Sequence, residues 1–264
     1  MKLKNAFAKV TAFLAERDTR PGIVARQLAG QERPADAKLA EILSAERRAR
    51  SKMDGSIDGS LVRTAWAAWE MMDLGADPLQ GGLDRLVSWT LQQVESGTTS
   101  DQAPLTLPNG ALFEDSDASA FAARCLGLRA VLRARREARP GVARLLDELA
   151  NGPQPATLDL SACALAALAL VPPPHRRHLD GLVGRLGRAQ VADGGWTEAD
   201  LFHMLEALVL AGIRPARVVA AQSAPALMAH LRDDGSFDDP PHDNPVHDER
   251  ALVGMRALQI AVED

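Results

Sequence analysis

Two stretches of this chain concentrate the side chains that could do chemistry. One is Phe113-Glu-Asp115-Ser-Asp117-Ala-Ser119-Ala-Phe121-Ala-Ala-Arg124, where two carboxylates two residues apart open an apolar segment. The other runs from Arg232 to Arg250 and sets His242 and His247 among aspartates. A carboxyl group in an apolar setting is a candidate for proton transfer, while His, Cys and Asp together are candidates for holding zinc. The plainer role of acidic residues at helix starts is capping, worth about 0.5–2 kcal/mol each. Cys125 and Cys163 each stand in an Ala/Leu stretch and read as buried core thiols.

The elements that position these residues repeat. An acidic or amide residue followed by glycine begins a turn at Asp54, Asn109, Asn151, Asp193 and Asp234. The last four recur with a period of about 42 residues, and the first interval is longer because of an insertion between Gly97 and Pro108. Helical periodicity precedes each turn over residues 39–50, 83–94, 141–150, 179–190 and 218–231. It follows each turn over residues 61–74, 119–133, 158–171, 199–211 and 246–262. No segment shows the alternation of a half-buried strand. The second helix of each unit is the more apolar, as in AWAAW and SACALAALAL, so it reads as an inner helix and its charged partner as an outer one.

Stacked hairpins of this kind make an open solenoid or a closed ring. The expected fold is all-α: an (α/α) toroid or barrel spanning residues 38–264, with residues 1–37 an N-terminal helical region that supplies a degenerate sixth hairpin. Phe7, Val10, Phe13 and Leu14 share a face of the first segment, which predicts an amphipathic packing helix rather than a signal peptide.

In a toroid the turns and inner-helix starts border one mouth of the central cavity. The polar residues there are Asp58, Ser60, Arg63 and Thr64; Glu114, Asp115, Asp117 and Ser119; Asp159, Ser161 and Cys163; Glu198, Asp200 and His203; and His242, His247, Asp248, Glu249 and Arg250.

Composition narrows the function classes. The formal net charge is −5, the basic residues are almost all Arg interspersed with acids, and no basic stripe forms, which argues against a nucleic-acid partner. Two cysteines make no disulfide framework and point to a reducing, cytoplasmic setting. No run approaches the ~20 apolar residues of a membrane span. The chain has four Trp, six Phe and no Tyr.

Gln190-Val-Ala-Asp193-Gly-Gly-Trp196 resembles the QW repeat of squalene and hopene cyclases, with fainter echoes at Leu231–Phe237 and Ser51–Ile57. On these residues and the period, the chain is similar to the α/α-toroid superfamily of terpenoid cyclases and protein prenyltransferases. In that family the element is a structural clasp: Gln190 would satisfy a helix end and Trp196 would pack on an outer helix.

The Asp115–Ser119 cluster resembles the D-x-D-T-T acid motif of class II terpene cyclases, with Ala118 and Ser119 in the last two places. The resemblance implies Asp117 as the general acid that protonates an alkene or epoxide, with Asp115 beside it. Such an acid must be kept neutral by burial and a neighbouring carboxylate.

The implied ligand is an apolar, isoprenoid-like molecule, a diphosphate or a squalene-type hydrocarbon. It would bind through Trp66, Trp69, Phe121, Phe202, Arg63 and Arg124, with Mg accompanying a diphosphate and a protein partner completing the pocket. Ten aromatic residues are few for a cavity that must stabilise cations by cation–π attraction. A non-catalytic toroid that binds a lipid or a protein therefore stands as the alternative. A third reading comes from the zinc-bearing turn of prenyltransferases, which His247 resembles by position; Asp159, Cys163 and His203 would supply the other zinc ligands, with Asp200 an alternative.

Overall fold

The computed structural model describes residues 2–97, 99–171, 178–237 and 244–263. The chain forms hairpins of α1 (Lys2–Ala15) with α2 (Arg20–Ala29), α3 (Asp36–Ala49) with α4 (Leu61–Asp73), and α5 (Gly81–Ser96) with α6 (Ser116–Arg133). It continues with α7 (Pro140–Asn151) and α8 (Leu158–Leu168), then α9 (Leu179–Arg188) and α10 (Leu201–Ala211). The final unit is α11 (Arg214–Gln222), α12 (Ala224–His230) and α13 (Asn244–Glu263).

The second helices form a ring: α4 packs on α6, α6 on α8, α8 on α10, α10 on α13, α13 on α2, and α2 on α4. The first helices lie outside it, each against its own inner partner or that of the preceding unit. This is an all-α toroid, and its layering follows the sequence pattern. Every residue of α8 from Ser161 to Leu168 is buried, whereas α7 buries Val142 and Leu145 and turns its charges outward. Among the described residues, no helix is long and apolar enough to cross a membrane.

Local chemistry fixes where the inner helices begin. Ser60, Asp115, Thr157 and Asp200 each stand in extended backbone and accept a backbone N–H from the first turn of α4, α6, α8 and α10 respectively. These four caps satisfy donors that the helix itself cannot.

The turns dock one unit onto the next. Asp54, Asn109, Asp193 and Asp234 each accept the N–H two residues on through their own side chains. Gly194 has φ of +87°, and a β-carbon there would lie 2.1 Å from the carbonyl oxygen of Gln222, at the end of α11. Gly235 has φ of +90° and presses in the same way on the carbonyl of Lys9 in α1, so the last turn seats on the first helix. Only glycine takes this backbone and this approach cheaply.

The Asn151–Gly152 turn differs. Asn151 ends α7, and Gly152 has φ of −75°. Pro153 and Pro155 hold the following backbone extended, so α8 starts only after Thr157. Two further departures from the sequence pattern are local. The single helix expected over residues 218–231 is broken at Ser223, because Pro225 opens α12 and cannot continue α11. The inserted segment contains a minimal antiparallel pair, β1 (Leu105–Thr106) with β2 (Leu112–Phe113), too short for alternation to register.

Candidate functional site

Two places gather the residues that could act on a ligand: the axis of the ring, and a lateral groove between α6, α7 and α8. Their chemistry is opposite.

The axis is lined by charge. Arg20, the first residue of α2, is buried and paired with both Asp73 on α4 and Glu249 on α13. Arg133 reaches Asp73 from α6 at 2.5 Å, and Arg47 holds Glu70 from the outer layer at 2.6 Å. Arg129 pairs with Glu206 of α10. Burial works against the charge on Glu206, but Arg129 and a bond from Asn109 outweigh it and hold the carboxyl below the usual range. Glu249 goes the other way. Burial, aided by the nearby carboxylates of Glu70 and Glu206, outweighs Arg20 and pushes it up to about 7.

Asn109, the turn residue before α6, is the hub at one end of this network. Its Nδ2 donates to Glu206 at 2.7 Å and to Nδ1 of His203 at 2.9 Å, while its carbonyl accepts Nε of Arg250 at 3.0 Å. With Nδ1 accepting, His203 carries its proton on Nε2, which faces the Asp159 carbonyl at 3.1 Å and Cys163 Sγ at 3.4 Å. Cys163, His203 and Asn109 have the residue types of a nucleophile, base and orienter. However, they are 3%, 1% and 4% exposed, and burial pushes the Cys163 thiol well up, so this is a sealed structural chain.

The aromatic faces of the axis are occupied by the protein's own cations. Arg20 lies 5.0 Å from the Trp66 ring centre, and Arg129 and Arg133 lie 4.9 and 4.4 Å from that of Trp69. Phe202 is buried on Phe237 with Arg250 5.0 Å from its centre.

The zinc residues are only partly brought together. His203 and Cys163 meet, but the Asp159 side chain accepts the N–H of Asp200, and His247 stands in the first turn of α13. Burial raises the Asp159 carboxyl. Among the described residues, no three His, Cys, Asp or Glu side chains form a group that could hold a metal ion. The residues do not fit zinc. His242 lies outside the described residues.

The groove has a volume of about 550 Å³, within the roughly 300–1,000 Å³ of small-molecule sites. Its floor is Phe121, Cys125, Leu145, Leu149 and Leu160. Burial pushes the Cys125 thiol up to about 12. Asp115, Asp117, Glu148 and Arg124 supply the charges around it. Asp115 is exposed and committed to capping, accepting from the N–H groups of Asp117 and Ala118 at 2.8 and 2.9 Å. Asp117 sits exposed in the first turn of α6, facing the groove. The inner-helix geometry therefore brings Asp115, Asp117, Phe121 and Arg124 to one place and sends Trp66, Trp69 and Phe202 to another. Arg63 belongs to neither: it is exposed and pairs with Asp58 at 2.7 Å.

Sequence reasoning passed over Glu206, Arg20 and Asp73, read Asn109 only as a turn residue, and considered Arg129 only as one of the arginines that could hold a diphosphate. The signal at Glu206 was a lone acid in an otherwise apolar inner helix, LFHMLEALVL. Such a charge demands a partner across the ring.

The structure is similar to the type II terpene cyclase MstE from Scytonema, solved in complex with its substrate geranylgeranyl dihydroxybenzoate. The match has a TM-score of 0.59 at 15% sequence identity and covers 98% of this chain and 97% of that one. No family model and no curated protein sequence matches the chain. The likeness establishes the terpene-cyclase-like fold.

Proposed function

We propose that the toroid binds an isoprenoid-type amphiphile in the groove between α6, α7 and α8, and that Asp117 is the acid of a type II cyclisation. The observation that carries the reading is the shared location. The two aspartates of the acid-like motif line the same apolar groove as Phe121 and Arg124. A cyclase-like fold around them adds to it.

Asp117 lies exposed to water in the first turn of α6. A proton donor must be neutral. Seating an apolar chain in the groove strips water from Asp117, and desolvation next to Asp115 raises a carboxyl group's affinity for its proton. On this reading the ligand completes its own acid, and the empty protein is inert. The non-catalytic alternative shares the groove and differs only in chemistry.

Incubation with geranylgeranyl diphosphate and with squalene, followed by analysis of extracted products, tests both. The cyclase reading expects a cyclised product that Asp117→Asn lowers at least about 100-fold, the lower end of a positioned acid's contribution. Product formation unchanged by that substitution contradicts the assignment. Saturable binding with no product favours the non-catalytic toroid.

A further inference from the structure

We infer that the groove is built for a single-anion head group, a carboxylate at the end of an isoprenoid chain, and selects against a diphosphate. The inference rests on the groove being the ligand site.

Arg124 carries it. Among the described residues this guanidinium donates no hydrogen bond and makes no ion pair, and its Nε is fully buried without a partner. Arg20 and Arg129 also leave a buried Nε unpartnered, but they, Arg133 and Arg250 all hold a carboxylate, and the lack of one at Arg124 marks it as a position held for something else. Its terminal atoms lie beside Gly97, the C-cap of α5. The negative end of that helix steadies the cation without neutralising it. A guanidinium left half-desolvated against an apolar floor gains most from a planar, two-oxygen anion that it can hold through two parallel bonds.

The rest of the rim sets the charge limit. Asp115, Asp117 and Glu148 surround the same groove, and Arg144, 3.7 Å from Glu148, is itself well exposed. With Asp117 neutral once the tail is seated, one cation between Asp115 and Glu148 accommodates one negative charge. A multiply charged diphosphate would meet like charges on several sides, which disfavours it. The floor of Phe121, Leu145, Leu149 and Leu160 takes the tail, and its apolar character is indifferent to what the head is.

Three ligands with one tail separate head from tail: geranylgeranoic acid, geranylgeraniol and geranylgeranyl diphosphate. Each is titrated into the full chain at low ionic strength, the diphosphate with and without millimolar magnesium. The acid is expected to bind with one-to-one stoichiometry and at least tenfold more tightly than the other two. Arg124→Gln should cost the acid about tenfold or more, the range of a hydrogen bond to a charged group, and leave the alcohol unchanged. Glu148→Gln removes a like charge from the rim and should tighten the acid severalfold, in a variant whose fold is read in parallel from its melting curve. Equal affinity for alcohol and acid, or tighter binding of the diphosphate with or without magnesium, overturns the head-group inference and leaves the groove standing. Binding of none of the three overturns the groove reading itself.

Discussion

The axis and the groove share inner helices of the ring, with α7 closing the groove from outside, and handle charge in opposite ways. Along the axis Arg20, Arg129 and Arg133 meet Asp73, Glu206 and Glu249, and the faces of Trp66 and Trp69 lie under guanidinium groups. In the groove the floor is apolar, Arg124 makes no ion pair among the described residues, and Asp117 faces the groove. A ring of helices must fill its centre, and here salt bridges do so in place of apolar side chains. The difference teaches where to look for a ligand. Cation-handling chemistry needs free aromatic faces, and a substrate entering the axis would first have to displace resident cations and leave their buried partners exposed to a penalty.

That contrast predicts a graded set of effects. The largest is at Glu206. Glu206→Ala strands Arg129 and one bond of Asn109 in the interior and should cost about 3–5 kcal/mol, the range for breaking a buried pair. The melting temperature should fall by roughly 10 °C. Adding Arg129→Met should restore most of the loss, since removing both charges removes the unpaired one. A double variant as unstable as the single would show that the pair is not the unit.

Next in size is a pH effect at Glu249. In the folded chain this carboxyl is pushed up to about 7, against 4.5 for a free one, so between those values the folded state holds a proton that the unfolded state has released. Stability therefore falls as pH rises through that window, by at most about 3 kcal/mol. Glu249→Gln should match the parent near pH 5 and be at least as stable near pH 8. Urea midpoints at the two pH values check the sign, and a parent that gains stability across the window contradicts it.

The smallest effects compare cap with groove. Asp115→Ala should cost about 1 kcal/mol, because it loses the cap of α6. Arg124→Gln and Asp117→Ala should stay within about 0.5 kcal/mol, because among the described residues neither side chain has a hydrogen bond or ion pair to lose. Thermal melts of the three variants in one buffer test the order, and a large loss at Arg124 would make it structural.

Much of the fold was legible because it rests on short-range chemistry. The Asx–Gly turns show up in sequence since Asp and Asn accept the N–H two residues on, and the inner helices show up as apolar nearly all round. Gln190 and Trp196 were legible as a clasp for the same reason. The Gln190 amide donates to the carbonyls of Gly194 and Val219 and to Ser223, and Trp196 donates to the Leu186 carbonyl. The Asn151–Gly152 turn misled because the prolines after it override the dipeptide. The candidate site was half legible. Asp117, Phe121 and Arg124 are spaced i, i+4, i+7, which alone puts them on one face of α6, and Asp115 caps that helix. The pairing of the axis was hidden, since Arg129 and Glu206 come from helices separated by three others in sequence and meet only when the ring closes. Trp66 and Trp69 were read as cavity walls because sequence does not say whose cation will cover them.

A crystal structure of the chain with geranylgeranoic acid bound tests the central claim most directly. The account predicts ligand density between α6, α7 and α8, its carboxylate on Arg124 and its tail on Phe121, Leu145 and Leu149, with the Arg129–Glu206 pair intact. Density along the axis against Trp66 and Trp69, with those ion pairs displaced, would contradict it.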